Sequence, residues 1–256
     1  MQYPSHILWK ISFQNYSSVE EIFSKKTYKK ILSSYKRMLE FGYEFEIKIV
    51  TPDFIKIFLP LYENNILKKR NGNVRDVLKY YQNYKDTGIP FYCLILNFNG
   101  ELCGALLFTE RKDRLSAVVK YFPSEAKCKL PSNITLVVEY LFFKEAYKLK
   151  KKGIYHGVDT NVFGVNSEIG LAMFKLQIGC RPHISSVDST YSISDKFIWD
   201  EKEDVLIFHG SKPKEKIVSS TLYITDKQLF KNSQDKYGAL LKCSDIKTQI
   251  KYKTDN

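Results

Sequence analysis

Glycine and proline are scarce in this chain, twelve and eight of 256 residues, which excludes a collagen-like or linker-rich polypeptide. Cysteine supplies no framework. Cys93, Cys103, Cys128, Cys180 and Cys243 are odd in number and widely spaced, with no CxxC pair, and the four histidines at 6, 156, 183 and 209 are scattered. Neither a disulfide scaffold nor a structural zinc site is expected, and no metal is assigned. The longest apolar stretch, around 134–143, is interrupted by Glu139. No basic segment leads into an apolar run with a small-residue cleavage site, so no leader and no stable membrane insertion are expected. The expected setting is reduced and cytoplasmic. Three glycine signatures are missing as well: G-x-G-x-x-G after a strand, G-x-x-x-x-G-K-[ST], and G-x-S-x-G. Their absence argues against a dehydrogenase, a P-loop enzyme and a serine-elbow hydrolase.

What is present is apolar and basic. Hydrophobic residues make up 44% and aromatic residues 14% of the chain, which rules out dominant disorder and allows one substantial core or two small ones. Forty Lys and Arg against 28 Asp and Glu give a formal net charge of +12. That surplus suits an anionic partner such as RNA, a nucleotide-linked sugar or a membrane surface, without choosing among them. Lysine carries most of it, and lysine is the ordinary solvated surface charge, whereas arginine is favoured for bidentate phosphate contacts.

The periodicities order the elements. Residues 7–13 alternate loosely as a short strand. A helix over 23–42 closes at Gly42, with Tyr28, Ile31, Leu32, Tyr35, Met38 and Leu39 as its apolar stripe. Its Lys25, Lys26, Lys29, Lys30, Lys36 and Arg37 read as a solvated face or as a phosphate-binding ridge. Residues 43–50 alternate as a half-buried strand, and Thr51-Pro52-Asp53 opens a helix running to about Arg70. A second helix covers roughly 74–85. Two strands joined at Asn99-Gly100 form a hairpin, and 115–123 a third strand. A helix of about 132–151 follows, capped by Ser132 or Asn133, then a strand over 154–159 and helical character from 168. Beyond 190, strands around 191–199, 205–208 and 218–224 give way to a weak helix and a frayed tail. This order predicts an α/β layered fold.

Four segments in this order resemble the GNAT-like acyltransferases of the FemAB/FemX type. They are FSKKTYKKILSSYKRMLEFGYEFEI, the junction from Pro123 through Pro131 into the helix ending at Gly153, YHGVD at 155–159, and GLAMFKLQIGCRP at 170–182. The last is similar to the family pattern G-L-x-x-F-K-x-x-F-G-x-x-P. The chain departs from the family in two places: Thr160 and Asn161 follow Asp159 where glycine is usual, and Ile178 stands where Phe is common. The resemblance implies a GNAT-like mixed central sheet flanked by helices over residues 1–190. Residues 191–256 would be a mixed or β-rich C-terminal extension serving oligomerisation or covering the site.

The resemblance further implies transfer of an acyl or aminoacyl group to an amine. Such a reaction needs a donor held beside the amine, a route for the lost proton, and donors facing the developing oxyanion. Lys175, the lysine of F-K-x-x-G, would contact a phosphate or stabilise transition-state charge. Asp159 or His156 would handle the amine proton, and Glu125 lies near the expected acyl position. An acyl-CoA cosubstrate would lie against 124–133, where both glycines of the usual pyrophosphate loop are missing. Lys127 and Lys129 would serve as point charges there, with amides near Ser132 and Asn133 at a helix start. The acceptor would be the amine of a small molecule, an amino sugar or an envelope precursor. Aminoacyl-tRNA is the alternative donor, which the positive charge would suit, and a homodimer is compatible with the sequence. A third reading is a non-catalytic basic binding or assembly protein on the same fold. Cys128 and Cys180 lack a histidine partner in a motif, which disfavours a covalent intermediate. Arg181 reads as surface charge or an acceptor-phosphate contact.

Overall fold

The computed structural model describes residues 2–69, 72–122, 133–185, 190–192, 198, 201–210, 212, 215–232 and 234–253. Two compact units divide the chain: one is Ser12–Tyr155, the other Met1–Ile11 together with His156–Asn256.

In the unit Ser12–Tyr155, helix α1 (Lys25–Glu40) starts where the Ser24 hydroxyl accepts the Thr27 amide. It buries Thr27, Ile31, Ser34 and Met38. The inward stripe is therefore rotated from the expected one, and Leu32 and Leu39 are exposed. Strand β3 (Tyr43–Ile49) leads to α2 (Pro52–Leu67), capped by the Thr51 hydroxyl, and then α3 (Val77–Asp86), capped by the Asp76 carboxylate. Strands β4 (Phe91–Phe98), β5 (Glu101–Glu110) and β6 (Arg114–Tyr121) form an antiparallel meander with β3. Asn99 and Gly100 both take positive φ in the β4–β5 turn, the tight-hairpin geometry their sequence favours. In β6, Val118 is an extra residue between the pairs Leu107–Val119 and Phe108–Ala117. Bulges of this kind redirect a strand and recur beside functional sites.

One face of this sheet packs on α2 and α3 through Ile55, Phe58, Tyr62, Val77, Cys93, Ile95, Leu107 and Val119. The other carries α1 and α4 (Ile134–Lys148), with Tyr35 on Phe45 and Phe142 on Phe108. Helix α4 is apolar around most of its circumference, as a helix covered on several sides must be. Glu139, whose lone carboxylate in an apolar run reads from sequence as facing solvent or pairing with a lysine such as Lys144, is fully buried on α4 and paired with Lys120 of β6. Asn133 precedes α4 at φ +71° and makes no side-chain cap; its amide nitrogen donates to the Ser34 hydroxyl instead. Strand β7 (Gly153–Thr160) pairs parallel to β6 over Arg114–Ser116 and Gly153–Tyr155.

The chain leaves this unit within β7, after Tyr155. In the second unit, β2 (His6–Ser12) pairs antiparallel with β8 (Arg181–Ile184), and β1 (Gln2–Pro4) with β9 (Thr190–Ser192). Helix α5 (Ile169–Gln177) precedes β8. Strand order in the mixed sheet is β3-β4-β5-β6-β7-β2-β8. A separate sheet joins β10 (Val205–His209), β11 (Ser219–Ile224) and β12 (Lys247–Tyr252), with α6 (Lys227–Asn232) and α7 (Gly238–Leu241) between the last two. The expected frayed tail is therefore corrected. Residues 247–252 pair parallel to β11, which satisfies backbone groups that a tail would leave to water. Among the described residues no helix is long and apolar enough to cross a membrane.

Candidate functional site

The second unit holds a buried charge pair built from three elements. Along β2, Ile7, Trp9 and Ile11 are buried while their neighbours are partly exposed, so the strand's alternation turns the Trp9 indole inward. Its ring meets Phe163 and Phe208 edge-on, with centroids 6.2 and 5.7 Å away. A buried indole N–H needs an acceptor, and Trp9 Nε1 donates to Asp159 Oδ2 at 2.8 Å. Asp159 stands near the end of β7, after Gly157 at φ +81°. Lys175, in the last turn of α5, donates from Nζ to the same oxygen at 2.7 Å and lies 5.5 Å from the Trp9 ring centroid. Its side chain is 6% exposed and that of Asp159 14%. The α5 terminus is closed by Cys180 N–H donating to the Lys175 carbonyl and Gly179 N–H to that of Leu176, a glycine-closed helix end that sets where Lys175 leaves the backbone.

Burying two opposite charges is costly unless each is well paired and hydrogen-bonded. Here the ammonium is held beside an aromatic face by a carboxylate that the indole also fixes. Trp9, Asp159 and Lys175 thus form one buried, hydrogen-bonded cluster in which the carboxylate compensates the ammonium.

Asn161 organises the chain just beyond. Its Nδ2 donates to the carbonyls of Pro4 and Phe208, and its Oδ1 accepts from the amides of Val162 and Phe208. Val162 then adopts φ +63°, a strained conformation for a β-branched residue. Gly164, at φ +101°, passes so close to the Asp204 carbonyl that a Cβ would lie 2.1 Å from it. The Asn161 side chain, with both amide donors and both acceptor sites engaged, holds this turn.

Sequence reasoning singled out Lys175 and Asp159, and the structure brings them together. His156 is buried on β7. Glu125, Lys127, Lys129, Ser132 and Cys128 lie outside the described residues. Asn133 belongs to the other unit, with its side chain on Ser34. Arg181 pairs with Asp245, which Lys216 also contacts at 2.8 Å. These two cations hold the Asp245 carboxyl below the usual aspartate range. Cys180 is buried. Trp9, Asn161 and the Lys120–Glu139 pair were missed. For Trp9 the signal was present, since a tryptophan at the inward phase of an alternating strand needs a partner for its N–H.

No family model matches the chain, and no curated protein matches it. Among solved structures, FemX is 12% identical with a TM-score of 0.54, covering 75% of this chain and 63% of that one. L-PGS from Bacillus licheniformis is 14% identical with a TM-score of 0.45, covering 68% and 52%. A tandem GNAT protein from the clavulanic acid biosynthesis pathway is 11% identical with a TM-score of 0.41, covering 75% and 55%. The match thus spans between about half and two thirds of the length of these structures. The FemX likeness shows the fold: a GNAT-like mixed α/β sheet flanked by helices.

Proposed function

We propose that the protein is a transferase forming an amide, passing an acyl group from a coenzyme A thioester to an amine. The acceptor class is a small molecule, an amino sugar or an envelope precursor. The observation that carries this reading is the Asp159- and Trp9-anchored Lys175 ammonium on a FemX-like fold. The acceptor amine attacks the thioester carbonyl, the C–N bond forms, and the C–S bond breaks to release the thiol. Lys175 steadies the oxyanion or a donor phosphate. Asp159 serves as the positioning residue for Lys175, because its Oδ2 already accepts two hydrogen bonds, and His156 takes the amine proton. The expectation that Lys127 and Lys129 bind the coenzyme A pyrophosphate is tested separately by the substitutions below.

A second reading replaces the donor with aminoacyl-tRNA, the alternative that the FemAB/FemX resemblance implies and that the +12 charge would suit. Thermal shifts with coenzyme A, acetyl-CoA and bulk tRNA, at low and moderate salt, separate the two. Binding to the native state alone raises the transition. A salt-tolerant shift with coenzyme A, lost in Lys127→Ala/Lys129→Ala, supports the thioester donor. A salt-steep shift with tRNA alone moves the assignment to aminoacyl transfer. No shift with any of the three overturns both readings and leaves a binding or assembly role.

A further inference from the structure

Strand β3 stands first in the sheet order, so among the described residues no strand pairs with its outer edge. Sequence alternation predicted a half-buried strand. Instead, everything after Phe45 is exposed, with Ile47 at 37% and Ile49 at 67%. Natural edges are usually blunted by charged side chains, proline, a bulge or a covering element, and of these β3 carries only Glu44, Glu46 and Lys48, the last two paired with each other at 2.7 Å. Here β3 has no proline and runs in unbroken register with β4 from Tyr43–Phe98 to Ile49–Tyr92.

The direction of its free backbone groups follows from one bond. Val50 N–H donates to the Phe91 carbonyl at 2.9 Å, continuing the β3–β4 register by one residue. Hydrogen-bonded and non-bonded pairs alternate along an antiparallel ladder. Lys48, Glu46 and Glu44 therefore turn their N–H and C=O groups to β4, while Phe45, Ile47 and Ile49 turn theirs outward.

We propose that a second copy of this chain occupies this edge, with β3 pairing antiparallel to its counterpart about a two-fold axis at Ile47. That register places Ile47 opposite Ile47 of the second copy, and Phe45 opposite Ile49 of the second copy. All of these are outward-facing residues, as a hydrogen-bonded ladder requires. It also sets Glu46 opposite Lys48 of the second copy, twice by symmetry, giving two opposite-charge cross-strand pairs. A register with Glu46 or Lys48 on the axis would oppose like charges there. The exposed Ile49 gains an apolar partner in Phe45 of the second copy. The strand is thus complementary to itself in backbone, charge and apolar surface in this one register. This inference is independent of the transferase reading.

Light scattering with size-exclusion chromatography on the full chain, across micromolar concentrations, tests it. The wild type is expected at twice the 29.9 kDa chain mass. Glu46→Lys and Lys48→Glu each place like charges across the axis and are expected to be monomeric, with unchanged circular dichroism. An equimolar mixture of the two variants re-pairs Lys with Glu at both positions and is expected to regain the dimer mass. A monomeric wild type, dimers that survive the single substitutions, or a mixture of folded variants that stays monomeric would each overturn the proposal.

Discussion

Lys175 and Asp159 answer to each other, so removing either leaves its partner poorly compensated in a site that water scarcely reaches. Lys175→Met and Asp159→Asn are each expected to cost about 3–5 kcal/mol in urea unfolding. The double variant should cost clearly less than the two effects summed. Strict additivity would mean that the pair does not interact energetically. Lys120 and Glu139 give a parallel case in the other unit. Lys120→Met strips the ammonium from a fully buried carboxylate, whereas Glu139→Gln removes the buried charge itself. Lys120→Met should therefore be the more destabilising of the two, and the reverse order in denaturant midpoints would refute the ion-pair assignment. Sequence words marked Lys175 and Asp159 as residues of interest, yet their pairing was not legible. Partnership between side chains 16 positions apart depends on where β7 and α5 meet. Glu139 was misread for a related reason: an isolated carboxylate in an apolar helix looks like its solvent face until the packing around the helix is known.

The Thr51 helix cap and the Asn-Gly hairpin were readable because their determinants are local: Thr51 before Pro52, and positive φ at Asn99 and Gly100. Two strands were misjudged because their environment is not local. Alternation in β3 predicted a buried face that its edge position leaves open, and lysine-rich β12 shows its identity only through pairing with β11. The sheet β10-β11-β12 should also be the acid-sensitive element. His209, whose Nε2 lies 2.8 Å from the Thr221 hydroxyl, is pushed below its ordinary value by burial and then by Lys251. As pH falls through the usual imidazole range near 6.5, the unfolded chain takes the proton first and stability declines. Asp204 adds a lower limb. Burial acts upward on its carboxyl, but the Thr225 amide, the Tyr237 hydroxyl and the Thr225 hydroxyl, with Lys236, outweigh burial and hold it below the aspartate range. Its stabilising contribution is present above the ordinary aspartate value and is lost as pH falls toward the depressed one. Unfolding free energy measured from neutral to acid pH should therefore fall in two stages. His209→Gln should remove the upper stage, and Tyr237→Phe should shrink the lower one. A single stage unaffected by either substitution would contradict this account.

For the whole molecule, the mixed α/β arrangement was legible because element order and the GNAT-like words run along the chain. What the +12 charge does was not legible, because a net charge has no address in sequence. The structure gives part of it an address. Lys25, Lys26, Lys29 and Lys30 are exposed over the first turns of α1, and no acidic residue lies in its first turn. A helix N-terminus is electropositive, so cations there are unfavourable by a few tenths of a kcal/mol each, and the effect fades beyond the first turn. Lysines kept at an electrostatic disadvantage are expected if the face meets a polyanion, whereas a merely solvated face would tolerate glutamine equally well. The quadruple variant Lys25→Gln/Lys26→Gln/Lys29→Gln/Lys30→Gln separates these two roles. Its thermal midpoint should rise slightly in either case. If the face contacts RNA, the log–log salt dependence of bulk tRNA binding should become shallower by roughly 0.7–0.9 for each phosphate contact removed. A variant that is stabilised yet binds tRNA with the wild-type salt slope would show that the ridge is ordinary solvated surface.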